Sequence, residues 1–168
     1  MPFTPLHFGP GAALKVAGKS HISFTLFCYT QIIMDLEPGY FLIRHEYPVH
    51  RFFHTYLGAT LVAAICILTG RPFCEWLLRI WRRIPAAPLN EVFADSTSIP
   101  WMIAVITALV GAYSHVFLDS IMHSDMRPLA PFSDANSMLH IVNIGLLHFM
   151  CLSLGVVGLL LWVHLRKR

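Results

Sequence analysis

Apolar and charged positions are segregated along this chain into long blocks. Three stretches hold no Asp, Glu, Lys or Arg: Phe52–Gly70, Ser96–Leu118 and Ala135–Leu165. A helix that spans a bilayer needs roughly 20 mostly apolar residues. The second and third stretches meet that length, and Phe52–Gly70 is near the minimum. A fourth run, Ser20–Met34, is too short to span as a regular helix by itself. The pattern predicts an all-α, polytopic membrane helical bundle of about four membrane helices, forming one domain over residues 1–168. Cys74–Ile84, with Trp76, Trp81 and three arginines, reads as an additional interfacial amphipathic helix. Pro85, Pro88 and Pro100 bracket a loop after it. Residues 11–17 and 21–34 read as a short helical hairpin broken at Gly18-Lys19-Ser20. That hairpin would return His7 to the side of Asp35; the alternative is that residues 1–19 lie on the cytoplasmic surface, with His7 far from the other groups.

Composition supports the membrane reading. Of the 168 residues, 56% are apolar and 12% charged, with mean hydropathy +0.62. A soluble domain carries about twice that charged fraction. The N-terminus has no basic region before an apolar run and starts with Pro2, Pro5 and Pro10, which is unlike a cleaved signal peptide. Cys28, Cys66, Cys74 and Cys151 lack CxxC spacing and read as buried thiols rather than a disulfide framework. The net charge of +3 is no nucleic-acid footprint, because the cations cluster beside apolar runs. Arg71, Arg79, Arg82 and Arg83 follow the second run, Arg166, Lys167 and Arg168 follow the last, and Lys15 and Lys19 precede the first. Cations flanking helix ends mark the cytoplasmic side. This bias orients the chain with a cytoplasmic C-terminus.

That orientation brings a set of ionisable groups to the opposite face. Ionisable groups in or at the ends of membrane helices are costly and point to function. His50 and His54 are spaced i, i+4 at the entry of the second run, which would put both on one helical face. His115, Asp119 and His123 repeat the spacing at the end of the third. Asp35 and Glu37 leave the end of the first, and His140 begins the last. Imidazole and carboxylate together suit zinc, manganese or iron, and several of each suit a two-metal centre. His148 reads as hydrogen-bonded between helices, and His21, His45 and His164 as structural. Ser114 and Ser133 have no paired base or nucleophile elbow.

The motifs, taken in order, resemble the bacterial inner-membrane-bound metal-dependent hydrolase family, the YdjM-like proteins. Met1-Pro2-Phe3-Thr4-Pro5-Leu6-His7 is similar to the family's opening. Met34-Asp35-Leu36-Glu37 resembles its acidic pair, and His50-Arg51-Phe52-Phe53-His54-Thr55 its histidine motif. Tyr113-Ser114-His115-Val116-Phe117-Leu118-Asp119 resembles its Ser-His-x-x-x-Asp motif, and Arg127-Pro128-Leu129-Ala130-Pro131-Phe132-Ser133 its following loop. Glu37 stands where the family has a second Asp, and Phe52 and Phe53 replace smaller residues. Ser120 to Asp125 departs from the family's continuation, which leaves His123 and Asp125 outside the resemblance.

The resemblance implies a bacterial inner-membrane hydrolase. His7, Asp35, His50, His54, His115 and Asp119 would hold one or two divalent ions, with zinc the expected metal. Asp35, Glu37 or Asp119 would act as general base, and Arg51 would pair with an anionic substrate such as a phospholipid or another lipid-linked phosphoester. Other readings use the same residues. A metal transporter needs a polar path across the bilayer, for which the last helix offers only Asn143, His148 and Ser153. A haem protein would pair histidines such as His54 with His115 or His148. In a scaffold the histidines would be merely interfacial.

Overall fold

The computed structural model describes residues 5–84 and 96–166, and among them it is wholly helical apart from turns and loops. After a 3₁₀ turn at Pro5–His7 come α1 (Phe8–Gly18), a turn at Lys19–His21 and α2 (Phe24–Ile43). A loop with a 3₁₀ turn at Phe52–His54 leads to α3 (Tyr56–Arg82), then α4 (Trp101–Met122) and α5 (Ile144–Arg166). Three of these, α3, α4 and α5 through Leu165, are long and apolar enough to cross a membrane. Met1–Thr4, Pro85, Pro88, Lys167 and Arg168 lie outside the described residues.

The α1–α2 hairpin forms as the glycine and charge pattern predicts. Its turn is closed by Lys15, whose Nζ donates to the carbonyls of Lys19 (2.6 Å) and Ile22 (2.9 Å). Two other expectations are corrected. The first helix does not end at Asp35: α2 runs 20 residues to Ile43 with Pro38 inside it. Pro38 lacks the N–H that would bond one turn back. Even so, the turns on either side of it place Leu36, Tyr40 and Ile43 outward as an apolar face. Cys74–Ile84 is not a separate interfacial helix. Through Arg82 it continues α3, joined to it by a π turn at Cys66–Gly70. A π turn shifts the helical register while keeping backbone bonds made. It is anchored from outside the helix, since Ile99 N–H donates to Glu75 and Arg71 Nε donates to the Ile99 carbonyl (2.8 and 2.7 Å).

Packing is small-inside and large-outside. In α3, Ala59, Val62, Ala63 and Cys66 are buried, while Leu57, Leu61, Ile65 and Leu68 face out. In α4, Ala104, Ala108 and Ala112 are buried while Met102, Val105, Ile106 and Phe117 face out. Small residues at helix contacts with large apolar ones outside are what lipid as a solvent selects. Helix α4 packs against α2 and α3, and α1 packs chiefly on α5. At that last contact the two backbones nearly touch: a Cβ on Gly9 would overlap the Cys151 carbonyl oxygen, and one on Gly158 would lie 2.7 Å from the Ala13 nitrogen. The alternating helix directions put Lys15, Lys19, Arg71, Arg79 and Arg82 toward one end of the bundle and the histidine motifs toward the other.

Candidate metal centre

Each inward group is set by a local device. His7 closes the 3₁₀ turn before α1, and its depth is fixed by the Gly9 contact with α5. His54 closes the 3₁₀ turn Phe52–His54, which sits directly on α3 because Gly58 has no side chain to strike the Phe52 carbonyl. Thr55 caps α3, accepting from Gly58 N–H at 2.9 Å while its hydroxyl donates to the Phe52 carbonyl at 2.9 Å. The i, i+4 spacing in α4 stacks His115 and Asp119 on its buried face. His123 is the C-terminal residue beyond that helix, its N–H bonded to the Asp119 carbonyl at 2.8 Å.

Five imidazole Nε2 atoms converge on the Asp119 carboxylate. His115 lies 3.2 Å, His54 3.6 Å and His50 3.9 Å from Oδ2, and His7 lies 3.4 Å and His123 3.8 Å from Oδ1. Asp35 Oδ1 is 3.5 Å from His115 Nε2. His7, His54, His115 and Asp119 are buried, and Nε2 of each of these three histidines has no hydrogen-bond partner. Such groups are costly when left unsatisfied. Ligands at the corners of a tetrahedron with bonds of about 2.0–2.1 Å sit about 3.3–3.4 Å apart. The shorter spacings here match ligand edges better than hydrogen bonds. The buried His/Asp groups are therefore positioned to hold a metal ion, in overlapping sets such as His7–His115–Asp119, Asp35–His54–His115 and His50–His54–Asp119.

The rear of three rings is held from outside. His115 Nδ1 donates to Gln31 Oε1 at 2.9 Å, and the Gln31 amide is itself fixed by donating to the Gly111 carbonyl at 2.9 Å. His54 Nδ1 donates to Glu37 at 3.0 Å, and His50 Nδ1 to Asp125 at 2.9 Å. An Nδ1–H given to an acceptor leaves the Nε2 lone pair for a metal and fixes the ring's direction. Burial, reinforced by His54, holds His50 below the usual imidazole range, which keeps it in the neutral form that ligates. Burial alone would raise the Asp125 carboxyl. The backbone and ring donors of His50 outweigh it and hold the group below the ordinary carboxylate range.

No family model, curated protein or solved structure matches this chain.

All six expected ligands, His7, Asp35, His50, His54, His115 and Asp119, come together. Two routes to that cluster differ from expectation. His50 and His54 are not on one helical face. They lie in the loop and 3₁₀ turn before α3, and the outer acceptors aim their rings. His140 does not begin the last helix but sits exposed in a turn at a left-handed φ of 57°, ahead of Ile144. Two expected catalytic groups also have other work. The Glu37 carboxylate is taken up by the N–H groups of Arg51 (3.1 Å) and Phe53 (3.0 Å) and by His54, so it positions the histidine loop rather than facing the centre as a base. The Arg51 guanidinium donates to the Pro48 carbonyl (2.9 Å) and Glu46 (3.2 Å) and lies 3.5 Å over the Phe41 ring, at the rim.

Gln31 went unread as a site residue in the sequence. The available signal was its place four residues before Asp35, on the same face of one helix.

Proposed function

We propose that this chain is an inner-membrane, metal-dependent hydrolase acting on a phosphoester or lipid-linked substrate at the membrane surface, with its C-terminus cytoplasmic. The observation that carries the reading is the convergence of imidazole Nε2 atoms on one buried carboxylate, those of His7, His54 and His115 without a hydrogen-bond partner, with the rings of His115, His54 and His50 braced from behind by Gln31, Glu37 and Asp125. His7, Asp35, His50, His54, His115 and Asp119 would hold the ion, with zinc the best match to a nitrogen-rich set containing carboxylate. A divalent ion supplies Lewis acidity, acidifying water and polarising the scissile group.

The remaining work falls to protein groups. Asp35 is the more exposed of the two inward carboxylates, at 14% against 3% for Asp119. It accepts the proton of the attacking water at its free oxygen. Arg51, exchanging Glu46 for substrate, pairs with an anionic headgroup at the rim. The outward apolar faces of the helices support a position of this end of the bundle at a lipid–water boundary, within reach of an amphiphilic substrate. The basic residues at the opposite end support the orientation.

A second reading, metal binding or transport without hydrolysis, is favoured by the burial of the centre. Closed sites are the rule for structural metals, whereas catalytic ones keep an open position. One experiment separates the two. The full chain, purified in mild detergent without a polyhistidine tag, is assayed for bound metal by elemental mass spectrometry and for hydrolysis of phosphodiesters and phospholipid vesicles. Metal plus hydrolysis, both lost in His115→Ala and hydrolysis lost more steeply than metal in Asp35→Asn, supports the enzyme. Metal without hydrolysis supports the second reading, and metal uptake into vesicles would then identify a transporter.

A further inference from the structure

We infer that the centre holds a pair of divalent ions bridged by the two oxygens of Asp119, with His123 as a ligand of the second. The inference rests on the metal-binding part of the proposed function and is independent of hydrolysis.

The width of the cluster is the first argument. Ligands of one ion with bonds of about 2.1 Å can be at most about 4.2 Å apart. Among the described residues the donors group into overlapping triads, and these chain from Asp35 at one side to His123 and Asp125 at the other. The triads Asp35–His54–His115 and His50–His123–Asp125 share no residue, so one ion that takes the first leaves the second unfilled. The second argument is the division of Asp119. Its Oδ2 faces His115 and His54 (3.2 and 3.6 Å), and its Oδ1 faces His7 and His123 (3.4 and 3.8 Å). A carboxylate presenting each oxygen to a different set of nitrogens suits ions about 3.5–4 Å apart, as in two-metal sites. Asp35, which approaches His115, completes the Oδ2 side. His50 adds its Nε2 to the Oδ2 side at 3.9 Å and stacks on His123 at 4.3 Å between ring centroids, so it links the two sides.

Charge is the third argument. Four carboxylates lie in the cluster or accept from its imidazoles: Asp35, Asp119, Glu37 and Asp125. With neutral histidines, two divalent ions balance them, and one leaves an excess of negative charge in a buried site. His123 is also well placed to serve. Its N–H is tied to the Asp119 carbonyl, and Asn136 Nδ2 donates to the His123 carbonyl at 3.4 Å.

The test loads the full chain in detergent with Mn²⁺ or Zn²⁺ and counts bound ions by elemental mass spectrometry after desalting. Two equivalents are expected, falling to one in His123→Ala and below one in Asp119→Ala. The manganese form should show the exchange-coupled spectrum of a spin pair by electron paramagnetic resonance, a readout that needs no variant to fold. Saturation at one equivalent with an uncoupled signal overturns the pair while leaving the proposed function standing. Two equivalents retained in His123→Ala overturn the assignment of that ligand. Absence of any metal overturns both the pair and the metal-dependent reading.

Discussion

Replacing Glu37 with Gln tests whether the centre is held by its outer supports. Glu37 Oε2 accepts from Arg51 N–H, Phe53 N–H and His54 Nδ1 at 3.0–3.1 Å, and Oε1 accepts from Phe53 N–H at 3.0 Å. A carboxylate can take all four contacts because it only accepts. The amide cannot. With its oxygen at the Oε2 position, its NH₂ faces the Phe53 donor, and with the groups exchanged, three donors face NH₂. The least damaging placement still removes the charge that makes these bonds strong, at about 1.5–3 kcal/mol for a bond to a charged group. His54 then loses its aim, and loss of such an outer partner costs about 10–100-fold in metal affinity, equivalent to about 1.4–2.7 kcal/mol. The assay is competition with a chromophoric chelator in detergent, with thermal unfolding run alongside to confirm a folded chain. A folded Glu37→Gln chain that binds metal within twofold of the unsubstituted protein would refute the reasoning.

Four further outcomes follow from the same geometry. Stripping metal with a chelator should lower the unfolding temperature, and readdition at 100–1,000 times Kd should restore about 2.7–4.1 kcal/mol; an unfolding temperature insensitive to metal would count against a native site. Gly9→Ala should loosen α1 from α5, because the new Cβ overlaps the Cys151 carbonyl oxygen. Overpacking of this kind costs about 1–3 kcal/mol, visible as a lower melting temperature and weaker metal binding through displaced His7; an unchanged melting temperature would sink the packing argument. Gln31→Leu should weaken metal binding about 10-fold or more by freeing the His115 ring, whereas Gln31→Glu, which keeps the acceptor, should retain more of it; equal losses in both would argue against the orienting role. Single cysteines introduced at Ser98 and His140 in a chain with its native cysteines replaced should be labelled by a membrane-impermeant maleimide from opposite sides of a vesicle, since α4 separates them; labelling from the same side would show that α4 does not span.

The amino-acid sequence by itself determined the helical class and picked out the ionisable groups that gather at one end of the bundle. Both are local properties. Charge-free runs of sufficient length must form helices in lipid, where every backbone polar group needs a partner. A carboxylate such as Asp119 on an apolar helix also needs a reason to be there. The i, i+4 relation of His115 and Asp119 is legible for the same cause, because helix geometry alone puts them on one face. Tertiary structure decided the rest. The same spacing for His50 and His54 arises from a loop and a 3₁₀ turn braced by Gly58, Asp125 and Glu37, which no periodicity encodes. The extension of α2 past Asp35 and Pro38 depends on an outward apolar face, and the fusion of Cys74–Arg82 to α3 on a π turn and contacts from Ile99. The acceptors behind His115 and His50 lie 84 and 75 residues away along the chain. Which donor meets which acceptor at such separations is set by how the helices pack. For that reason the inward groups could be read in the sequence, while the groups that aim them emerged only from the fold.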